Sequence, residues 1–512
     1  NWKIPQDEID KRRDLRNQQI FSIDPKYAKD LDDCLSCTKT ESGNFLVGIH
    51  IADASYFVPY GSPLDLEARK RSTTFYFPNE KFPMLPLILS DNLCSLLENE
   101  DRLAVSIEVE ITHHGEIVKT DFFRSVIRSQ KHLDYETAQK LIENKMESLD
   151  YSVQALGDTV RMLYRVSTIL RNKRFAEGAL SMPSSRIRVK CDENNLITIH
   201  PEVSLDSNVM IEEYMLLANT LTANKLVQSI GRGVLVRSRK SPSHKKLATF
   251  MEQCKLVDIE IDITNNATIQ NSLEALHQDM KDELTENAVA NVASRAFNSA
   301  TFECTDERTT IDSKEYHHCD LNVRFYGQFT SPIRRYSDLI THRQLIDVME
   351  KKKQSITLQD MKHIARLCNW QRKQANAASR DADRLYMATL LNSTKKPQVE
   401  GIVVEVTSKK VKLLVPEYDQ NKFVSFGRNC KTEWHSDDES FHFREPNSDR
   451  WLAVKLFTKV TVEIVPRLHN SLWGLDLCVL YPPRANQDLL VKQRETTTRE
   501  TIREPKKSGK RK

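Results

Sequence analysis

Read for periodicity, the chain divides into three stretches of different character. From residue 20 to about 112, short apolar runs alternate with polar breaks: FSID, FLVGIHIADASYFV and LAVSIEVEIT, the last with alternating apolar positions. Each predicts a strand. Between the second and third lies GSPLDLEARKRSTTFYFPNEKFPMLPLILSDNLCSLL, which reads as a helix followed by a long loop of the kind that lines sites. From about 135 to 395 the apolar spacing becomes three and four. YETAQKLIENKM, VRMLYRVSTILRNKRFAEGAL, NVMIEEYMLLANTLTANKLVQ, NSLEALHQDMKDELTENAVANVASRAF, SDLITHRQLIDVMEKKK and MKHIARLCNWQRKQANAASRDADRLYMATLL each predict a helix. Beyond 396, QVEGIVVEVTSKKVKLLV, NKFVSF, LFTKVTVEIV and SLWGLDLCVL return to short alternating strands.

The pattern predicts an α+β protein. A lead-in segment covers 1–20, a mixed body 21–395, a small all-β barrel 396–484, and a polar, basic tail 485–512 that is too poor in apolar residues to fold. Five or so short strands suggest an OB-fold, the barrel most often attached to enzymes of nucleic acid. Fold alone does not establish binding.

Composition narrows the class. A chain of 512 residues with 39% hydrophobic content can bury a substantial core. It has no apolar run of membrane-spanning length, and NWKIPQDEIDKRRDLRN lacks the apolar centre of a secretory signal. No Met opens the chain, so it reads as a piece of a longer protein. Ten Cys without a framework fit a reducing compartment, cytosol or nucleus. Cys34 and Cys37 form a CxxC, but with no second pair at zinc-ribbon spacing they read as inward residues of a strand. The net charge of +4, from 75 basic and 71 acidic residues, does not point to a polyanion. The distribution says more: basic residues concentrate at 236–246, at 331–336 and in the tail.

Candidate chemistry begins with Asp24, Asp30, Asp32 and Asp33, in FSIDPKYAKDLDDCLSC. Four carboxylates this close repel one another in a folded site and need protons or a divalent cation. An acidic surface turn is the bland alternative, but Pro25 stiffens the segment and strand-like runs bracket it. A second constellation is YGQFTSPIRRYSDLITHRQL, where Arg334 and Arg335 follow Pro332 at an expected helix start with Ser331 as its cap. Guanidinium forks beside helix N-terminal amides suit phosphate oxygens. Metal ions that activate water, with an Arg to neutralise transition-state charge, supply what phosphodiester hydrolysis needs.

Taken together, D-P-x4-D-L-D-D, HIADASYFV, PMLP, LSDNLCSL, EEYMLLAN and FTSPIRRYSDLITHRQL resemble, in order, the RNB catalytic domain of the ribonuclease II and ribonuclease R superfamily. The terminal barrel is similar to that family's S-one-type OB-fold. The resemblance implies a processive, hydrolytic exoribonuclease that degrades single-stranded RNA from its 3′ end to 5′ nucleoside monophosphates. It implies two Mg²⁺ ions, replaceable by Mn²⁺, held chiefly by Asp24, Asp30, Asp32 and Asp33, with Asp33 best placed to orient or deprotonate the attacking water. Arg334 falls on the catalytic Arg, and Arg335 beside it on the RNA path. Tyr76 matches a Tyr that packs against the terminal nucleotide, in keeping with stacking as a sequence-tolerant hold on a single strand. Its bland reading is a half-buried aromatic.

The bacterial members place a Phe where this chain has Met182, which departs from the second jaw of that base clamp. Glu213 resembles a carboxylate near the RNA end, although the helix could expose both Glu212 and Glu213. His50 and Asp53 read as organisers behind the cluster, and His317 and His318 as structural. Within the superfamily the chain looks most like the eukaryotic DIS-three-like group, in its cytoplasmic branch. That branch works without the exosome on RNAs with 3′ oligouridine tails, which implies a cytoplasmic location, with the nucleus as the alternative. Some relatives of this fold have lost catalytic Asp residues and serve as RNA-binding regulators; that is the competing class.

Overall fold

The computed structural model describes residues 2–479, apart from 182–186, 193, 256–257, 280–281, 395–396, 425–430, 437–439, 445–450 and 470–471. Met182 and the basic tail lie outside the described residues. Strands of the N-terminal half are β1 (Arg13–Asp14), β2 (Ser22–Asp24), β3 (Asp33–Lys39), β4 (Phe45–Ala52), β5 (Phe75–Tyr76), β6 (Lys81–Phe82), β7 (Asp101–Ile111), β8 (Ile117–Arg128) and β9 (His132–Asp134). A five-stranded sheet in the order β1-β8-β7-β4-β3 organises the body.

Helices of eight or more residues are α1 (Pro63–Arg71), α2 (Tyr135–Ile142), α3 (Gly157–Ala176), α4 (Asp206–Ile230), α5 (His244–Lys255), α6 (Asn266–Asp279), α7 (Glu283–Ala296), α8 (Tyr336–Met349) and α9 (Leu358–Ser393). One face of the sheet packs on α2, α3 and α4 through Val47, Ile49, Val160, Leu163 and Tyr214. The other packs on α8 and the first turns of α9 through Ala52, Ala104, Leu339, Ile340 and Ile364. Covering both faces explains why FLVGIHIA is a nearly continuous apolar run rather than an alternating one. It also decides the CxxC: Cys37 joins the first cluster and Cys34 the second, on opposite faces of β3, so they cannot share a metal or a disulfide.

Within this apolar layer runs a row of polar side chains. His50 bonds Ser36 through Nε2 at 3.0 Å and Ser106 through Nδ1 at 2.8 Å, and Ser106 meets Ser125 at 2.7 Å. Burial pushes the His50 imidazole down to about 3, so the ring is neutral. Gly48 makes room for it, because a Cβ there would sit 2.3 Å from Ser36 Oγ and 2.6 Å from His50 Nε2.

The structure corrects several boundaries. The strand expected over FLVGIHIADASYFV stops at Ala52, because the Asp53 carboxylate accepts the Tyr56 amide and caps a single turn over Ala54–Phe57. The helix expected over 271–297 is two, α6 and α7, with Asp282 at the start of the second. Part of the basic run at 236–246 opens α5, an element the periodicity did not predict. The first 20 residues are built into the body: β1 pairs in parallel with β8, and the buried Arg12 guanidinium holds Asp53 and Glu8, each at 2.7 Å.

Strands β10 (Ile187–Cys191) and β11 (Ile197–Pro201) form a hairpin, and β12 (Leu235–Ser238) pairs with β13 (Thr301–Cys304). The C-terminal unit contains β14 (Gln398–Val406), β15 (Val411–Val415), β16 (Gln420–Val424), β17 (Thr432–His435), β18 (Ser440–Arg444), β19 (Trp451–Val454), β20 (Lys459–His469) and β21 (Leu472–Val479). An antiparallel sheet in the order β16-β15-β14-β20-β21 coils into a nearly closed barrel of OB type, with Lys422 on one edge strand reaching the Leu475 carbonyl on the other. Strands β17 to β19, inserted in the chain between β16 and β20, form a separate three-stranded sheet. The barrel is seated on α9 through Met387, Ala388 and Leu391, and on α7 through Arg295, which reaches the Val404 carbonyl at 3.0 Å.

Candidate active site

The four aspartates are distributed by strand ends. Asp24 closes β2, Asp33 opens β3, and Asp30 and Asp32 lie in the connection between them. Buried Ile23 and Leu31 and the Asp32 carbonyl, which accepts the Ala52 amide at 2.9 Å, pin that connection. The result is a carboxylate group at the end of a sheet that is rigid on both faces.

Facing them is the segment 326–335, drawn in by interactions that the sequence alone did not announce. Asn219 of α4 accepts the Phe329 amide at 2.6 Å and donates to the Tyr326 hydroxyl and Thr330 Oγ1, while His342 of α8 bonds the Phe329 carbonyl at 2.7 Å and stacks on its ring. Ser331 does not cap the helix. Arg335 is the residue before α8, without a side-chain cap, and the Ser331 amide instead donates to Asp338 at 2.8 Å. Held so, the Ile333 amide reaches Asp32 Oδ1 at 2.9 Å and Arg334 Nε reaches Asp32 Oδ2 at 3.3 Å. Arg334 Nη2 donates to Ser331 Oγ. Its side chain keeps 44% exposure, so one face of the guanidinium is open to a ligand.

The β5–β6 hairpin hangs from this arginine turn. Thr73 pairs with Arg335, and the Thr74 amide donates to the Arg334 carbonyl at 3.0 Å. The next strand carries Tyr76, a residue 44% exposed whose hydroxyl donates to Asp30 Oδ2 at 3.0 Å. Opposite it in the hairpin, Lys81 donates to Asp30 Oδ1 at 2.7 Å and to Asp91 at 3.0 Å. Asp30 is thus tied to a phenol and an ammonium, and Asp30, Asp32, Tyr76 and Arg334 are joined within a single hydrogen-bonded unit.

Burial and crowding dominate the electrostatics. Asp24 is pushed well above the usual carboxylate range by burial and then by the charges of Asp33 and Asp32. Burial lifts Asp32 to about 8 against the pull of Arg334 and the Ile333 amide, and lifts Asp33 to about 6. Carboxylates so placed bind protons until a cation replaces them. Asp24 Oδ2 is buried without a hydrogen-bond partner, the mark of an acceptor awaiting one.

Among the described residues no three His, Cys, Asp or Glu side chains converge as a closed metal cage. Asp32 is spanned by Ile333 and Arg334, and Asp30 by Tyr76 and Lys81. What remains, Asp24 and Asp33, fits the way Mg²⁺ is usually held, by one or two carboxylates completed by water and substrate phosphate.

Other expected residues sit elsewhere. Glu213 is buried on α4 and held by Arg171 and Arg174 of α3, whereas Glu212 is exposed, so the helix does not present both. Arg335 bonds Asp338 at 2.7 Å rather than any of the four aspartates. Asp53, drawn down to about 2 against burial by Arg12 and Arg124, is an internal ion-pair partner, and His50 belongs to the serine row. His317 meets Asn322 at 3.3 Å, and the buried His318 stands edge-on to Tyr326. Lys81, Asn219 and His342 were missed. Their only trace in sequence is polar character inside apolar or loop segments.

Comparison with known proteins identifies the family. The family model described as RNB domain matches residues 12–351. DIS3-like exonuclease 2 of Schizosaccharomyces pombe is 32% identical over 93% of this chain and 52% of its own length. A protein of Arabidopsis thaliana named inactive exonuclease DIS3L2 is 36% identical over 68% of this chain and 34% of its own length. The chain spans about half the length of the curated relatives it matches. Among solved structures, Mycoplasma genitalium RNase R in complex with ribose-methylated single-stranded RNA superposes with a TM-score of 0.80 at 21% identity, covering 94% of this chain and 73% of that one.

Proposed function

The chain belongs to the RNB domain family, and from that premise and the site above we propose that it is a 3′-to-5′ hydrolytic exoribonuclease acting on single-stranded RNA and releasing 5′ nucleoside monophosphates. The observation that carries this reading is the unit in which Asp32, Arg334, Asp30 and Tyr76 are joined, with Asp24, whose Oδ2 has no partner, and Asp33 beside it. Each part has one task. Tyr76, itself exposed and with its hydroxyl fixed, stacks on the terminal base. Arg334, positioned by Asp32 and Ser331, offers its open face to the scissile phosphate and neutralises charge that grows in the transition state.

Asp24 and Asp33 would hold Mg²⁺, or Mn²⁺ in its place. The ion would supply Lewis acidity and a water of lowered pKa. A second ion would take Asp30 or Asp32, which must first give up Lys81 or the Ile333 amide. Asp33, lifted less by burial than Asp32 and so more readily ionised, is the group to orient or accept a proton from the attacking water.

We further propose, from the branch its motifs resemble, a cytoplasmic role without the exosome, on RNAs ending in oligouridine. The test of that extension is competition between uridine-tailed and untailed RNAs of equal length. The rival reading, an RNA-binding regulator without hydrolysis, is favoured by the relative named inactive. Product analysis separates the two: the exonuclease releases labelled mononucleotide first from 3′-terminally labelled RNA and not from DNA of the same sequence, whereas the regulator binds both RNA ends intact.

A further inference from the structure

Away from the aspartates, three arginines from distant parts of the chain meet around Tyr326. Arg237 lies on β12, where its amide donates to the Tyr326 carbonyl at 2.7 Å and its Cα faces Phe302 of β13. Asn369 of α9 clamps that same Phe302 at both its amide and its carbonyl, each at 2.8 Å, which brings Arg372, one turn further along α9, to the same place. Arg335 arrives from the other side, touching Thr330, which shares Asn219 with the Tyr326 hydroxyl.

Charge here is not balanced. Asp338 serves Arg335, but Arg237 and Arg372 have no carboxylate partner among the described residues, and Nε of both Arg237 and Arg335 is buried without any hydrogen-bond partner. Burial first, and then Arg372, draws Arg237 down to about 10, and Arg372 is lowered by burial and by Arg335. A guanidinium cannot shed its proton to relieve this, so such a cluster is costly in the free protein. The neighbouring cations are accounted for differently: Arg239 pairs with Asp320, and Lys246 bonds Asn298.

We propose that Arg237, Arg335 and Arg372 form an anion subsite that holds a backbone phosphate of the single-stranded RNA upstream of the one at Arg334. The choice of RNA rests on the exonuclease reading, since Arg335 adjoins Arg334 in the chain. The subsite itself rests on the uncompensated charge. It reads no base, because guanidinium forks grip phosphate oxygens whatever the sequence.

The test is the affinity of wild type, Arg372→Met, Arg372→Lys and Arg237→Met for a 5′-fluorescein single-stranded RNA in EDTA, as a function of salt, together with the thermal midpoint of each free protein. We expect the slope of log affinity against log salt to fall in the neutralised variants by up to about 0.7, the share of the one phosphate the subsite holds. Arg372→Lys should keep the slope. Relief of repulsion should leave the midpoint of Arg372→Met equal to or above wild type, which a structural arginine would lower. An unchanged slope in well-folded variants overturns the proposal, as does a lowered midpoint with wild-type binding. Inorganic phosphate that raises the wild-type midpoint but leaves the RNA slopes equal would overturn the RNA assignment. None of these readouts needs hydrolysis, so a protein that binds as described but fails to cleave overturns the exonuclease reading alone.

Discussion

Asp32 Oδ2 and Arg334 Nε lie 3.3 Å apart although 302 residues separate them in the chain. This contact joins the aspartate connection to the arginine turn. It also orients the guanidinium, because a buried carboxylate fixes one edge and leaves the opposite edge for substrate.

Arg334→Ala should therefore lower kcat by about 100-fold or more, the usual cost of losing a transition-state donor, while RNA affinity changes far less. Single-turnover rates at saturating protein, set beside equilibrium binding, check this. A loss confined to affinity would recast Arg334 as a residue that only positions RNA.

Lys81 places a fixed positive charge against Asp30 and Asp91. Replacing it by Met frees Asp30 and adds a net negative charge at the site. Mn²⁺ should bind several-fold more tightly and RNA more weakly, read by paramagnetic resonance of free Mn²⁺ and by fluorescence anisotropy. Equal Mn²⁺ affinity in both proteins would show that Lys81 is electrostatically remote from the ion.

Folding without metal should take up protons. Asp32 titrates at about 8 in the folded protein and near 3.8 when exposed, so the folded state binds more protons than the unfolded between those values, and stability falls as pH rises through them. His50 and His318, held neutral with values of about 3, act in the opposite sense below 6.5. The carboxylate effect is therefore cleanest from pH 6.5 to 8, where Asp32 alone contributes a loss on the order of 2 kcal/mol. Denaturant melts in EDTA should weaken over that window, and Mg²⁺ should restore most at the alkaline end. A flat profile in EDTA would mean that Asp32 is ionised without a metal.

Gly48→Ala tests the serine row. Its Cβ would sit 2.3 Å from Ser36 Oγ, between two strands that cannot part. A loss of about 1–3 kcal/mol is expected from overpacking of this kind, seen as a lower urea midpoint. An unchanged midpoint would show that Ser36 and His50 rearrange freely.

What the sequence made legible was local. Asp24, Asp30, Asp32 and Asp33 are neighbours in the chain, and long helices such as Asp206–Ile230 repeat one signal many times. What it hid depends on tertiary contact. Nothing in FYFPNEKF says that Lys81 folds back on Asp30, because that needs the hairpin and the loop before β3 to meet. Glu213 looked like a site residue until α3 supplied Arg171 and Arg174. Arg237 and Arg372 converge only through Phe302 and Asn369, a bridge between β13 and α9 that leaves no local pattern. Cys34 and Cys37 read as inward strand residues and both are buried, but on opposite faces of β3, because helices cover both faces of the sheet.

The most direct measurement is a time course on a 5′-labelled single-stranded RNA, with Mg²⁺ or with EDTA, for wild type and Asp33→Asn. The account predicts a ladder that shortens from the 3′ end to a core of a few nucleotides only in wild type with Mg²⁺, while Asp33→Asn binds the RNA and leaves it intact. Wild type that binds RNA with Mg²⁺ and cleaves none of it, or Asp33→Asn that cleaves at the wild-type rate, would contradict it.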